Sequence, residues 1–131
     1  MSGFRVNTKF VTRSGISDFS KFHDGESIEI ISHDKKVRKA TVKYCGIQKL
    51  YRITFRSLCN ECRYVFTTID QNWLKFDGTK GTVKLKDMLY LLVNNWCVFN
   101  MEEYKECEAW SLHVEDGDSF ILENNIVCCG C

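Results

Sequence analysis

Residues 52–69 read RITFRSLCNECRYVFTTI, and this stretch decides how the rest of the chain is understood. Before the two cysteines, Tyr51, Ile53 and Phe55 alternate with Arg52, Thr54 and Arg56. After them, Tyr64 and Phe66 alternate with Arg63, Val65 and Thr67. A period of two is the mark of a half-buried strand, so Cys59 and Cys62 are expected in a tight turn between two β-strands. Two thiolates two residues apart at a turn can converge on one tetrahedral ion, for which zinc is the usual occupant.

Working outward, the same spacing recurs at the far end of the chain, where Cys128 and Cys131 form a second C-x-x-C pair. The expected metal site is therefore Cys59, Cys62, Cys128 and Cys131, a closed structural zinc centre tying the last strand to the central hairpin. A second set replaces the terminal pair with Cys107 and His113, with Cys97 nearby. Cys45 reads as a small buried hydrophobe. A thioredoxin-like role needs the motif at a helix N-terminus, and here it lies between two strands.

The composition is that of a globular chain: 44% apolar and 13% aromatic in 131 residues, enough for one domain with a core. The whole chain is read as a single zinc-stabilised domain. No apolar run approaches the ~20 residues that span a bilayer. The N-terminal residues carry no secretory h-region. These readings predict an intracellular protein, cytoplasmic or nuclear, without a membrane partner.

Charge is unevenly placed although the net charge is only +1. From Lys35 to Arg63 there are nine basic residues and one acid, Glu61; from Glu102 to Glu123 there are eight acids and one base, Lys105. Strands are expected over 37–45 and 50–58, joined by a turn at 46–49. Pairing as a hairpin, they would gather Lys39, Lys43, Arg52 and Arg56 on one face, with Lys49 and Arg63 close by. Six such cations are a surface for phosphates, with little sequence preference. The competing expectation is that the basic and acidic segments are neighbouring strands that neutralise each other.

The remaining elements follow from periodicity. From Thr82, the residues Leu85, Met88, Leu89, Leu92, Val93 and Trp96 recur at helical spacing, which predicts one amphipathic helix. Glu115-Asp116-Gly117-Asp118 reads as the turn of a C-terminal hairpin joining 106–114 to 119–127. The fold class expected is thus β-rich α+β: an antiparallel sheet or partly open barrel, one helix and a C-terminal hairpin.

Nothing marks an active site. His23 and His33 sit beside Asp24 and Asp34 in polar loops, which does not make a dyad, and there is no phosphate-binding glycine loop. The sequence predicts a non-enzymatic zinc-binding module that contacts nucleic acid through a basic β-hairpin, or alternatively a protein-interaction or regulatory module using its charged faces.

Overall fold

Two very long strands carry this molecule. In the computed structural model, which describes residues 1–117 and 119–131, β5 (Val37–Ser57) and β9 (Trp96–Val114) pair antiparallel over almost their whole length. Nine shorter strands complete the sheet: β1 (Phe4–Arg5), β2 (Lys9–Thr12), β3 (Gly15–Asp18), β4 (Ser27–Ile31), β6 (Cys62–Thr67), β7 (Trp73–Leu74), β8 (Lys80–Gly81), β10 (Ser119–Leu122) and β11 (Ile126–Cys129). The order is β6-β1-β9-β5-β4-β2-β10-β11-β7-β8, with β3 on β2 and an extra pairing of β6 with β5. That extra pairing closes β5, β9, β1 and β6 on themselves, which leaves few free edges there.

Alternation becomes burial along these strands. Ala40, Val42, Ile53 and Phe55 of β5 face the core, as do Val98, Leu112 and Val114 of β9. Aromatic side chains fill the centre. Trp73 meets Phe4 edge-on at 5.8 Å and Phe55 at 5.3 Å, and Phe120 meets Phe4 at 6.0 Å and Phe10 at 6.1 Å. Burying each such ring contributes about 1.5–3 kcal/mol.

The expected α+β class is overturned, because the described residues contain no α-helix. The stretch from Thr82 to Trp96 lies extended between neighbours instead. Lys75 bridges Leu89 and Met88 bridges Cys97; the Leu89 amide donates to the Trp96 carbonyl, and the Tyr90 amide to the Leu74 carbonyl. Pairing on both sides satisfies the backbone that a helix would have satisfied internally, and tertiary context outweighs propensity. Only Leu89 and Trp96 of the apolar stripe are fully buried, while Leu85 and Val93 are exposed.

Two hairpins also differ from expectation. Residues 37–57 are one strand and not two, since Gly46 (φ +79°) makes a bulge where a turn was expected. The C-terminal hairpin joins β10 to β11 through Glu123–Asn125, with Asn124 and Asn125 at φ +67° and +63°. Positive φ at two successive asparagines suits a tight hairpin connection. The 115–118 signal leads from β9 to a strand that pairs elsewhere, and Asp118 lies outside the described residues.

The Cys59–Cys62 turn between β5 and β6 is where the alternation put it, with Arg56 opposite Cys62. Ser57 holds it: its Oγ accepts from the Cys59 and Glu61 amides, both at 3.2 Å. Among the described residues no helix is long and apolar enough to cross a membrane.

Candidate functional site

The bulge in β5 creates the site. Tyr44 lies opposite Trp110 and Ile47 opposite Glu108, so β5 carries one residue more than β9 over this interval. An extra residue shifts the inward-facing parity. Val42 and Cys45 therefore both point inward, three positions apart, and Cys45 packs with Leu50, Phe66 and Ala109.

Both extremities of the chain run to this bulge. Gln48 Nε2 donates to the carbonyls of Met1 and Cys45, tying them together. Gly3 is gripped on both sides: its amide donates to Thr68 Oγ1 at 3.1 Å, while its carbonyl accepts from Thr67 Oγ1 at 2.9 Å and from the Thr68 amide at 3.0 Å. Glycine is required there by close approach, since a Cβ would stand 3.0 Å from the Trp110 backbone and 3.1 Å from Ala109 Cβ. The same loop holds the other extremity. Buried Gln71 donates to the Cys129 carbonyl at 2.8 Å, and the Cys129 amide donates to the Asn72 carbonyl at 3.0 Å.

Beyond Cys129 the chain crosses to β9. The Cys131 amide donates to the Leu112 carbonyl at 2.9 Å, and His113 Nδ1 lies 3.2 Å from the Cys131 carbonyl. The Cys131 thiol hydrogen-bonds to the Cys45 thiol, and this bond, helped by the Ser111 hydroxyl and by nearby His113, brings the Cys131 pKa down to about 6 against the opposing effect of burial. Cys45 moves the other way, because a thiolate beside it and its own burial keep its proton on. The pair is thus one thiolate and one thiol, an arrangement that makes Cys131 a nucleophile near neutral pH.

The expected zinc ligands are not brought together. Cys59 and Cys62 are exposed at the β5–β6 turn, whereas Cys128 is fully buried, its thiol donating to the Phe120 carbonyl. Burial, together with neighbouring Cys129, pushes the Cys128 thiol well up, which opposes the thiolate a metal needs. Of the second set, Cys107 packs beside the Cys45 cluster and His113 lies at Cys131. Among the described residues no three His, Cys, Asp or Glu side chains are grouped to hold a metal ion.

The nucleic-acid surface is corrected too. β5 is one strand paired with acidic β9, so the charges are spent between neighbours. Lys49 meets Glu103 at 3.6 Å, Arg52 is paired with Glu102, and Arg63 meets Glu61 at 3.3 Å. Arg56 lies over the Phe99 ring at 3.7 Å. Lys39 and Lys43 are exposed, opposite Glu29 and Ser111 in register. The competing expectation, mutual neutralisation of the two segments, is what the sheet shows. His33 is engaged with Ser119 at 2.6 Å, and Asp34 with Ser32 and Arg38, so they make no dyad.

Sequence reasoning missed Cys45, Gln48, Thr67, Thr68 and Gln71. The one available signal was Gly46 inside a broken alternation, which marks a bulge as readily as a turn.

No protein-family profile matches the chain, and no curated protein does. Its fold does match solved structures. The DnaB intein from Synechocystis sp. PCC 6803 superposes with a TM-score of 0.79 at 16% identity, over 100% of this chain and 99% of that one. A variant of the Ssp DnaB mini-intein gives 0.78 at 17%, over 98% and 94%. The Msm DnaB1 intein splicing domain, bound with zinc, gives 0.70 at 9%, over 96% and 98%. Similarity at this identity concerns the fold. It nonetheless overturns the expected non-enzymatic zinc and nucleic-acid module, and its protein-interaction alternative, since these neighbours are protein-splicing domains whose reaction is autocatalytic.

Proposed function

We propose that this chain is an intein-type domain that breaks peptide bonds at its own extremities, with Cys131 as the acyl-accepting nucleophile. The observation that carries this reading is the meeting of residues 1–3 and 129–131 at Cys45, in a fold shared with inteins. Transfer between two flanking segments needs both to leave the domain side by side, because proximity replaces a bimolecular encounter.

The chemistry needs three things. A nucleophile ionised near neutral pH is supplied by Cys131. A fixed peptide is supplied by Thr67 and Thr68, which hold the amide and carbonyl of Gly3 in a buried setting. A proton carrier is supplied by His113 at the Cys131 carbonyl. In the step we propose, the Cys131 thiolate attacks the carbonyl carbon of Ser2. The bond from that carbon to the Gly3 nitrogen breaks, the carbon–sulfur bond forms, and the Gly3 nitrogen takes up the proton the thiol has lost. The product is a thioester carrying the N-terminal flank.

Release of the C-terminal flank is a different matter. Gly130 precedes Cys131 and has no side chain with which to attack its own carbonyl. The reading therefore favours thiol-released N-terminal flank as the main product. The test fuses a carrier protein before Met1 and another after Cys131. Hydroxylamine should free the N-terminal carrier, ending at Ser2 by intact mass, and Cys131→Ala should free none. An intact precursor in the parent under hydroxylamine overturns the reading.

A further inference from the structure

We infer that Cys45 and Cys131 form a reversible modification site, at which a low-molecular-weight disulfide such as glutathione disulfide oxidises the two facing thiols to a Cys45–Cys131 disulfide. The consequence for activity rests on the function proposed above, since the bond would take the acyl-accepting sulfur out of use.

Geometry supplies the argument. Cys131 is fixed by its amide on the Leu112 carbonyl and by His113 on its own carbonyl, and its side chain meets Cys45. Cys45 sits on the bulge beside Gly46, its thiol 3.6 Å from the Lys43 carbonyl. A bulge is a place where backbone can re-aim a side chain by small rotations. Exposure divides the roles. Cys131 is exposed and reachable by a reagent, while Cys45 is buried behind it. An accessible thiolate with a second thiol within reach is the arrangement of an attacking and a resolving cysteine.

The electrons balance. The Cys131 thiolate attacks one sulfur of glutathione disulfide, forming a mixed disulfide and expelling one glutathione thiolate. Cys131 then bears no charge, so the neighbour that kept the proton on Cys45 is gone. Cys45 loses its proton to solvent, attacks the Cys131 sulfur and expels the second glutathione. Two protein thiols are oxidised and one glutathione disulfide is reduced to two thiols. A phosphine reductant reverses the change.

The experiment treats the carrier-fused chain, in a Cys59→Ser/Cys62→Ser background that removes the exposed thiols, with glutathione disulfide. It is then quenched in acid and mapped by mass. The expected result is a peptide pair linked through Cys45 and Cys131, with the whole chain lighter by two hydrogens. Cys45→Ser and Cys45→Ala should both stop at a glutathione adduct on Cys131. Hydroxylamine release of the carrier should fall to background on oxidation and return after phosphine. A stable glutathione adduct on Cys131 of the Cys45-containing chain, or a link from Cys131 to another cysteine, overturns the inference. If the disulfide forms but the reduced precursor releases no carrier, the modification site stands and the proposed function fails. If the reduced precursor releases its carrier and no disulfide forms, the function stands and this inference fails.

Discussion

The β5–β9 ribbon has two contrasting regions. Around Cys45, polar groups from residues 1–3, 67–72, 111–113 and 129–131 meet within a largely buried setting, and nearly every hydrogen bond joins segments far apart in sequence. Between Lys49 and Arg56, the same two strands face solvent and exchange charges with neighbours. Identical residue types behave differently in the two places. A cysteine at the first has its proton affinity changed by burial and a partner; the cysteines of the 59–62 turn remain exposed. Burial and long-range apposition confer chemistry, whereas motif spacing alone does not.

The strongest way to break the first region is from beneath. Trp73 is fully buried, packs on Phe4 and Phe55, and pairs with Cys128 through β11. Trp73→Ala should cost about 3–5 kcal/mol, read as a loss of denaturant midpoint. A smaller but more local break is Gly3→Ala. The atoms a methyl would meet are backbone and cannot swing aside, so about 1–3 kcal/mol of overpacking is expected. Hydrogen exchange should report it as lost protection at Phe4 and Thr68.

Chemical reactivity sharpens the same comparison. The Cys131 proton is lost at about pH 6 and not at the ordinary 9.0, so the thiolate is present above that pH and absent below it. Labelling of Cys131 by iodoacetamide should rise through about pH 6 and then level off, with Cys45 unlabelled throughout. Ser111→Ala removes a donor to the thiolate and should move the midpoint upward. An unchanged midpoint would separate Ser111 from the site.

How much of this could be read in the sequence follows from which interactions are local. The strand around Phe55, the Cys59–Cys62 turn and the return along β6 were legible because alternation and a turn are properties of neighbouring residues. The pairing of β5 with β9 was legible only as one of two readings of the charge blocks, since complementary segments do not state their register. The helix over 82–96 was misread because six apolar residues at helical spacing say nothing of the strands waiting on either side. The site itself was hidden. Thr67, Thr68 and Gln71 are ordinary residues in a strand end and loop, and only tertiary structure brings Gly3 and Cys129 to them.

In the solvent-facing region the expected effects are small. Arg52 and Glu102 are each nearly half exposed, so Arg52→Ala should cost no more than about 1 kcal/mol, and less at high salt. Smallest of all should be Cys59→Ser/Cys62→Ser. Both side chains are exposed, and the turn is held by Ser57 Oγ and by the Asn60 amide on the Ser57 carbonyl, none of which involves a thiol. Substitutions at such positions usually change stability by less than about 0.5 kcal/mol. Ser57→Ala is the informative control. Ser57 is buried and serves two amides, so its loss should cost about 1–3 kcal/mol while leaving every cysteine in place. If the double cysteine variant melts far below Ser57→Ala, the turn is held through its sulfurs and the contrast between the two regions collapses.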